Sequence, residues 1–216
     1  MPETKKLFVI FGVLLACFAV ITQYVLMIEN SQTPVLETTV RFFSFFTILT
    51  NTLVALYFCT MWLGSSSRLG KLFQRRGVIT AITVYITVVG LVYQLLLRQI
   101  WEPTGMQKLV DELLHSVNPL YFILYWYLYE DKAQLKWRFI PVWLLYPLIY
   151  LLYILVRGSF SGFYPYPFVN VSELGMSQVL LNSLGLMLVF IGFCVLYIGV
   201  GKLLARPAAT QAFRNS

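Results

Sequence analysis

Apolar residues run along this chain in six long stretches, separated by short polar segments. The stretches are Leu7–Ile28, Val40–Leu63, Val78–Leu97, Leu113–Tyr129, Phe139–Val156 and Gln178–Leu204. A bilayer core of about 30 Å takes about 20 residues of α-helix. Each stretch meets that length or comes near it. The pattern therefore predicts an all-α, polytopic membrane protein: one domain, residues 1–216, built as a bundle of six transmembrane helices. The first stretch follows Lys5 and Lys6. It is too long for the apolar part of a signal peptide and lacks a small-residue cleavage site near its end, so it reads as a retained helix.

Composition agrees. The chain is 59% hydrophobic and 12% charged, with a mean hydropathy of +0.75. Soluble domains carry about 25% charged residues, so lipid is the expected solvent. A net charge of +7 raises the question of nucleic acid, and the placement of the charge answers it. Lys5, Lys6, Arg68, Lys71, Arg75, Arg76, Lys132, Lys136, Arg138, Lys202, Arg206 and Arg214 fall on one side of the predicted membrane. Only Arg41, Arg98, Lys108 and Arg157 fall on the other. Basic residues accumulate in cytoplasmic loops. This asymmetry predicts a cell-membrane protein with both termini in the cytoplasm and membrane lipids, not nucleic acid, as its surroundings. Trp62, Trp101, Trp126, Tyr127, Tyr129 and Trp137 sit at span ends, as interfacial aromatics do.

Cys17, Cys59 and Cys194 each lie in an apolar run and read as packing residues. With a single histidine as well, no metal site and no cofactor is expected. The loop 157–177 contains RGSFSGFYPYPF, whose glycines and prolines forbid a regular helix. A structured cap on the outer surface is the expectation. Asn170-Val171-Ser172 matches a glycosylation sequon, a pattern that also arises by chance.

Polar residues inside spans are costly and therefore informative. In this topology every helix carries them in its outer half: Gln23; Arg41, Ser44, Thr47, Thr50 and Asn51; Tyr93, Gln94 and Arg98; Asp111, Glu112, His115, Ser116 and Asn118; Arg157; and Ser177, Gln178, Asn182 and Ser183. The inner halves are nearly all apolar. Such convergence points to one polar pocket near the outer face, although interhelical hydrogen bonding also uses Ser, Thr, Asn and Gln. Arg41, Ser44, Thr47 and Asn51 recur at helical spacing and share one face of the second span. His115 and Asn118 share a face of the fourth, where Pro119 removes the N–H that would bond the His115 carbonyl. A kink is expected there.

A threonine hydroxyl becomes a nucleophile when an imidazole takes its proton. Asn51, Asn118 or Asn182 would donate to a developing oxyanion. Arg41 or Arg157 would hold a carboxylate or phosphate. The residues thus suit an ester hydrolase with Thr47 as nucleophile and His115 as base. A small transporter or lipid-binding protein would use the same pocket without catalysis. A structural partner in a membrane complex would need no pocket.

FFSFFTILTNTLVAL, LLHSVNPLYFILYW and LLYPLIYLLYILVRGSFSGFYPYPF resemble the Pr6Pr family of six-span membrane proteins over nearly the whole chain. Phe-Phe-Thr47, and His115 followed closely by Pro119, are also similar to the androgen-induced-gene/FAR-17a family. That resemblance implies an intramembrane threonine hydrolase of fatty-acid esters with a Thr and a His in its site. The spacing around Thr47 and Asn51 differs by one residue from that pattern, which leaves Thr50 as a competitor for the matched threonine.

Overall fold

A computed structural model describes residues 2–64 and 67–205. Arg206 and Arg214 lie outside the described residues. Regular structure among the described residues is entirely helical: α1 (Glu3–Glu29), α2 (Val35–Phe42), α3 (Phe46–Leu63), α4 (Arg68–Phe73), α5 (Val78–Val92), α6 (Gly105–Glu112), α7 (Asn118–Tyr129), α8 (Ile140–Ser161), α9 (Val171–Leu174) and α10 (Met176–Leu204), with a few 3₁₀ turns. Two π turns, Tyr93–Leu97 and Leu113–Val117, extend α5 and join α6 to α7. Five helices are long and apolar enough to cross a membrane: Glu3–Glu29, Phe46–Leu63, Val78–Leu97, Trp137–Ser161 and Met176–Leu204.

α1 lies along α3, α5 packs on α7, α10 and α3, and α8 covers α10. The spans of α3 and α5 are 50% and 56% buried, against 17% for α8 and 22% for α1 and α10. α3 and α5 are thus the interior, and the other three leave apolar flanks bare, as lipid-facing helices do. Trp126 departs from the interfacial assignment: it is buried and donates its indole N–H to Thr80 at 2.9 Å. The Asn170 side chain caps α9 by accepting from the Ser172 N–H. Cys17 and Cys59 are free thiols with sulfurs 3.8 Å apart, and Cys194 is buried.

Two of the departures from regular α-helix at the polar end of this bundle place Thr47 and His115. The stretch expected as one helix from Val40 to Leu63 is broken at residues 43–45, where Phe45 is extended (φ −82°, ψ 126°). The Ser44 hydroxyl bonds back to the Val40 carbonyl at 2.7 Å, a bond that competes with the backbone ladder. A break leaves backbone groups unpaired, a severe cost in an apolar setting. Two tyrosines answer it. Tyr150 donates to the Ser44 carbonyl at 2.8 Å, and the Thr47 N–H donates to the Tyr166 hydroxyl at 3.2 Å.

The second departure replaces the expected kink at Pro119. The turn Leu113–Val117 is a π turn, in which the Asn118 N–H bonds to the Leu113 carbonyl five residues back. In that register the residue facing the Leu114 carbonyl is Pro119, which has no N–H. Asn51 supplies the missing donor at 3.1 Å. The freed acceptor is therefore Leu114, not His115 as the regular helix would have it. The His115 carbonyl instead lies against Gly90, where an added Cβ would stand only 3.1 Å from it. Gly90 lets the π turn sit directly on α5.

Candidate functional site

The α1–α2 and α5–α6 connections, with the Tyr-Pro loop that follows α8, rim a cavity of about 920 Å³ at this polar end. Its wall includes Arg41, Thr47, Asp111, His115 and Tyr166. A second, apolar pocket of about 80 Å³ lies among α3, α5, α8 and α10. Thr47 and Tyr166 line both and so stand at their junction.

Thr47 is the second residue of α3. The break before it exposes its N–H, because the first residues of a helix have no intrahelical acceptor. The break also turns its side chain toward the π turn, where His115 Nε2 lies 3.3 Å from Thr47 Oγ1. The other ring nitrogen, Nδ1, lies 2.9 Å from the Asp111 carbonyl oxygen and 3.3 Å from Asp111 Oδ1. A carbonyl oxygen only accepts, so in the neutral ring Nδ1 carries the proton and Nε2 is bare. Thr47 must then be the donor to Nε2.

The imidazole is held on its face as well as its edge. The Tyr93 ring stacks on it with centroids 4.0 Å apart and planes 12° apart. Tyr93 donates its hydroxyl to Asp111 Oδ2. Asp111 is 5% exposed and Tyr93 3% exposed. The outcome is a hydrogen-bonded chain, Thr47, His115, Asp111, Tyr93, whose last ring folds back over the imidazole. Tyr93 and Asp111 stand among the polar residues of the outer halves, and Tyr166 lies in the Tyr-Pro loop, but the sequence assigned none of them a role. For Asp111 the available signal was spacing, since it precedes His115 by one helical turn and would share its face.

The other sequence candidates divide. Thr50 is fully buried and pairs with Tyr146 at 3.3 Å, away from His115. The Asn51 amide donates to the Thr47 carbonyl at 2.9 Å and to Leu114, and accepts from Asn118 at 2.9 Å. Both amides are buried, line neither cavity, and staple α3 to the π turn. Both Asn51 amide hydrogens are thereby committed, and one of Asn118's goes to Asn51. Ser44 sits in the break and faces Tyr153 at 3.4 Å rather than the cavity. The break removes it from the helical face on which regular spacing puts it. Asn182 donates to the Phe168 carbonyl at 3.0 Å and so holds the Tyr-Pro loop.

Arg41 and Arg157 share one carboxylate, Glu37, at 2.7 and 3.0 Å, and both guanidinium groups lie 4.8 Å from the Phe163 ring centre. The Arg41 hydrogen bond, with the charge of Arg157, holds the Glu37 carboxyl below the usual range. Only Arg41 lines the large cavity. Across its mouth Gln107 donates to Gln23 at 2.8 Å. Among the described residues no group of three or more His, Cys, Asp or Glu side chains gathers to hold a metal.

Comparison with protein-family models, with curated proteins and with solved structures finds no match to this chain.

Proposed function

We propose that the chain crosses the cell membrane six times, with both ends in the cytoplasm, and works as an intramembrane hydrolase of lipid esters. Thr47 is the nucleophile, His115 the general base, and Asp111 the group that orients the imidazole. The contact between Thr47 Oγ1 and His115 Nε2 at 3.3 Å carries this reading. The approach of Nδ1 to two acceptors supports it further, because it leaves Nε2 free to take a proton. Thr50 is turned to Tyr146, which favours Thr47 for the role. Membership of the Pr6Pr family, with a more distant kinship to the FAR-17a hydrolases, belongs to the same proposal. The unbroken course of helix through residues 105–129, packed against α1 and α5, supports a sixth crossing.

In the reaction, Thr47 Oγ1 bonds to the ester carbonyl carbon as its proton passes to His115 Nε2. The carbonyl electron pair moves onto its oxygen. Collapse of this intermediate expels the alkoxide, which takes the proton from His115 and leaves an acyl-threonine. Water, deprotonated by His115, then attacks the acyl carbon. The acid departs and Thr47 recovers its proton. The imidazolium formed in each half faces the Asp111 carboxylate, which lowers its cost. The apolar pocket beside Thr47 suits an acyl chain, and the polar-walled cavity suits the alcohol portion.

The test is fluorophosphonate labelling of the purified protein in detergent and in lipid nanodiscs. Wild type is expected to label at Thr47, Thr50→Ala to keep labelling, and Thr47→Ala and His115→Ala to lose it. A wild type that fails to label in both media refutes the hydrolase and leaves a binding or transport role for the cavity.

A further inference from the structure

We infer that Tyr166 is a catalytic residue: its hydroxyl, with the Thr47 N–H, binds the carbonyl oxygen of the substrate as negative charge develops on it. The inference rests on Thr47 being the nucleophile. Thr47 Oγ1 has a single proton, and the tautomer of His115 commits it to Nε2. Tyr166 Oη lies 3.3 Å from Thr47 Oγ1 and accepts the Thr47 N–H at 3.2 Å. The phenol proton is therefore the one that points at Thr47 Oγ1, to a lone pair the hydroxyl must surrender when it attacks.

Once Thr47 Oγ1 bonds to carbon, the oxygen on that carbon lies about two bond lengths away. Apart from the His115 Nε2–H, which is kept for the leaving group, the donors at hand are the Tyr166 hydroxyl and the Thr47 N–H. At rest the Thr47 N–H donates to Tyr166 Oη and the phenol O–H to Thr47 Oγ1, so an arriving oxyanion replaces hydrogen bonds already present rather than stripping water from either group. Preorganised donors of this kind are commonly the largest electrostatic contribution to acyl transfer, and the nucleophile's own N–H serves in this way in serine hydrolases. Burial pushes the Tyr166 phenol up from its ordinary range, so it keeps its proton as a donor. The ring is fixed by stacking on Phe168 (5.2 Å, 5°) and by the edge of Phe45 at 5.7 Å. Both amide hydrogens of Asn51 are already donated, to the Thr47 and Leu114 carbonyls.

The experiment compares wild type and Tyr166→Phe, which keeps the stacked ring and removes one oxygen. Hydrolysis of p-nitrophenyl octanoate is measured per fluorophosphonate-reactive site, together with inhibition by an alkyl trifluoromethyl ketone, whose tetrahedral adduct carries an oxyanion. The expected result is a fall in kcat of about 100-fold or more, with KM within about threefold. The ketone's Ki should rise by the same factor. A kcat within threefold of wild type, or a Ki that does not follow kcat, overturns the role of Tyr166. Tyr197→Phe removes a buried hydroxyl that pairs with Thr87 at 2.8 Å and lines neither cavity; it should leave Ki unchanged, so a raised Ki there also overturns the role of Tyr166. If mass spectrometry finds the phosphonate on a residue other than Thr47, the underlying hydrolase assignment fails first, and the inference fails with it.

Discussion

Replacing Asp111 by asparagine removes a charge from the site and almost nothing else. The amide oxygen can take the place of Oδ1 opposite His115 Nδ1, and the amide nitrogen the place of Oδ2, with the Tyr93 hydroxyl turning from donor to acceptor. The Asp111 main-chain carbonyl, 2.9 Å from Nδ1, is untouched and still selects the tautomer. What is lost is the attraction between the carboxylate and the imidazolium formed during attack. At 3.3 Å and an effective dielectric of about 20, that attraction is about 5 kcal/mol before desolvation. Part of it is already offset, because the carboxylate is engaged by Tyr93. A net loss of about 2–4 kcal/mol corresponds to a slowing of roughly 30- to 1,000-fold. This is smaller than the ~10⁴-fold loss in a serine protease, where the carboxylate also sets the tautomer. The assay is the pseudo-first-order rate of fluorophosphonate labelling of Asp111→Asn in nanodiscs, with the melting temperature as a check on folding. A rate within threefold of wild type, at unchanged melting temperature, refutes the assignment of Asp111.

Asn51→Leu deprives the Leu114 and Thr47 carbonyls and the Asn118 amide of their partner; at about 0.6 kcal/mol for an average hydrogen bond in a membrane bundle, and up to about 1.7, the expected loss of stability is about 2–4 kcal/mol, read by unfolding in mixed micelles. Gly158→Val sets carbon where the Tyr164 ring already lies, since even a Cβ there would stand 2.1 Å from it; the Tyr-Pro loop must move, Tyr166 with it, and labelling at Thr47 should be lost while the helical circular dichroism persists. Burial pushes the Glu130 carboxyl, which accepts from Thr80 at 3.0 Å, up to about 7. A raised folded value favours the protonated form, so its contribution of about 3 kcal/mol is present below an ordinary carboxylate value and is lost as pH rises through about 7. The melting temperature of wild type should fall between pH 5 and 8 by more than that of Glu130→Gln; parallel curves refute this.

Much of the molecule was legible in its sequence because a lipid solvent leaves little choice. Every backbone polar group must be satisfied internally, so long apolar runs become helices: the run at Val78 is a helix with the same bounds, and those beginning at Leu7, Phe139 and Gln178 lie within helices a few residues longer. The cost of polar groups among apolar ones also marked the stripe that includes Thr47 and His115. What the sequence could not reveal was which of those groups meet. Regular helical spacing puts Arg41, Ser44, Thr47 and Asn51 on one face, yet the break at residues 43–45 parts Ser44 from Thr47 and the π turn moves the free carbonyl from His115 to Leu114. Neither departure is stable alone, since each strands backbone groups. They persist because Tyr150, Tyr166 and Asn51, distant in sequence, arrive to bond those groups. The helices and the polar character of one end follow from the order of residues alone. Only tertiary packing decided where the helices depart from regularity, and those departures bring Thr47, His115, Asp111 and Tyr166 within reach of one another.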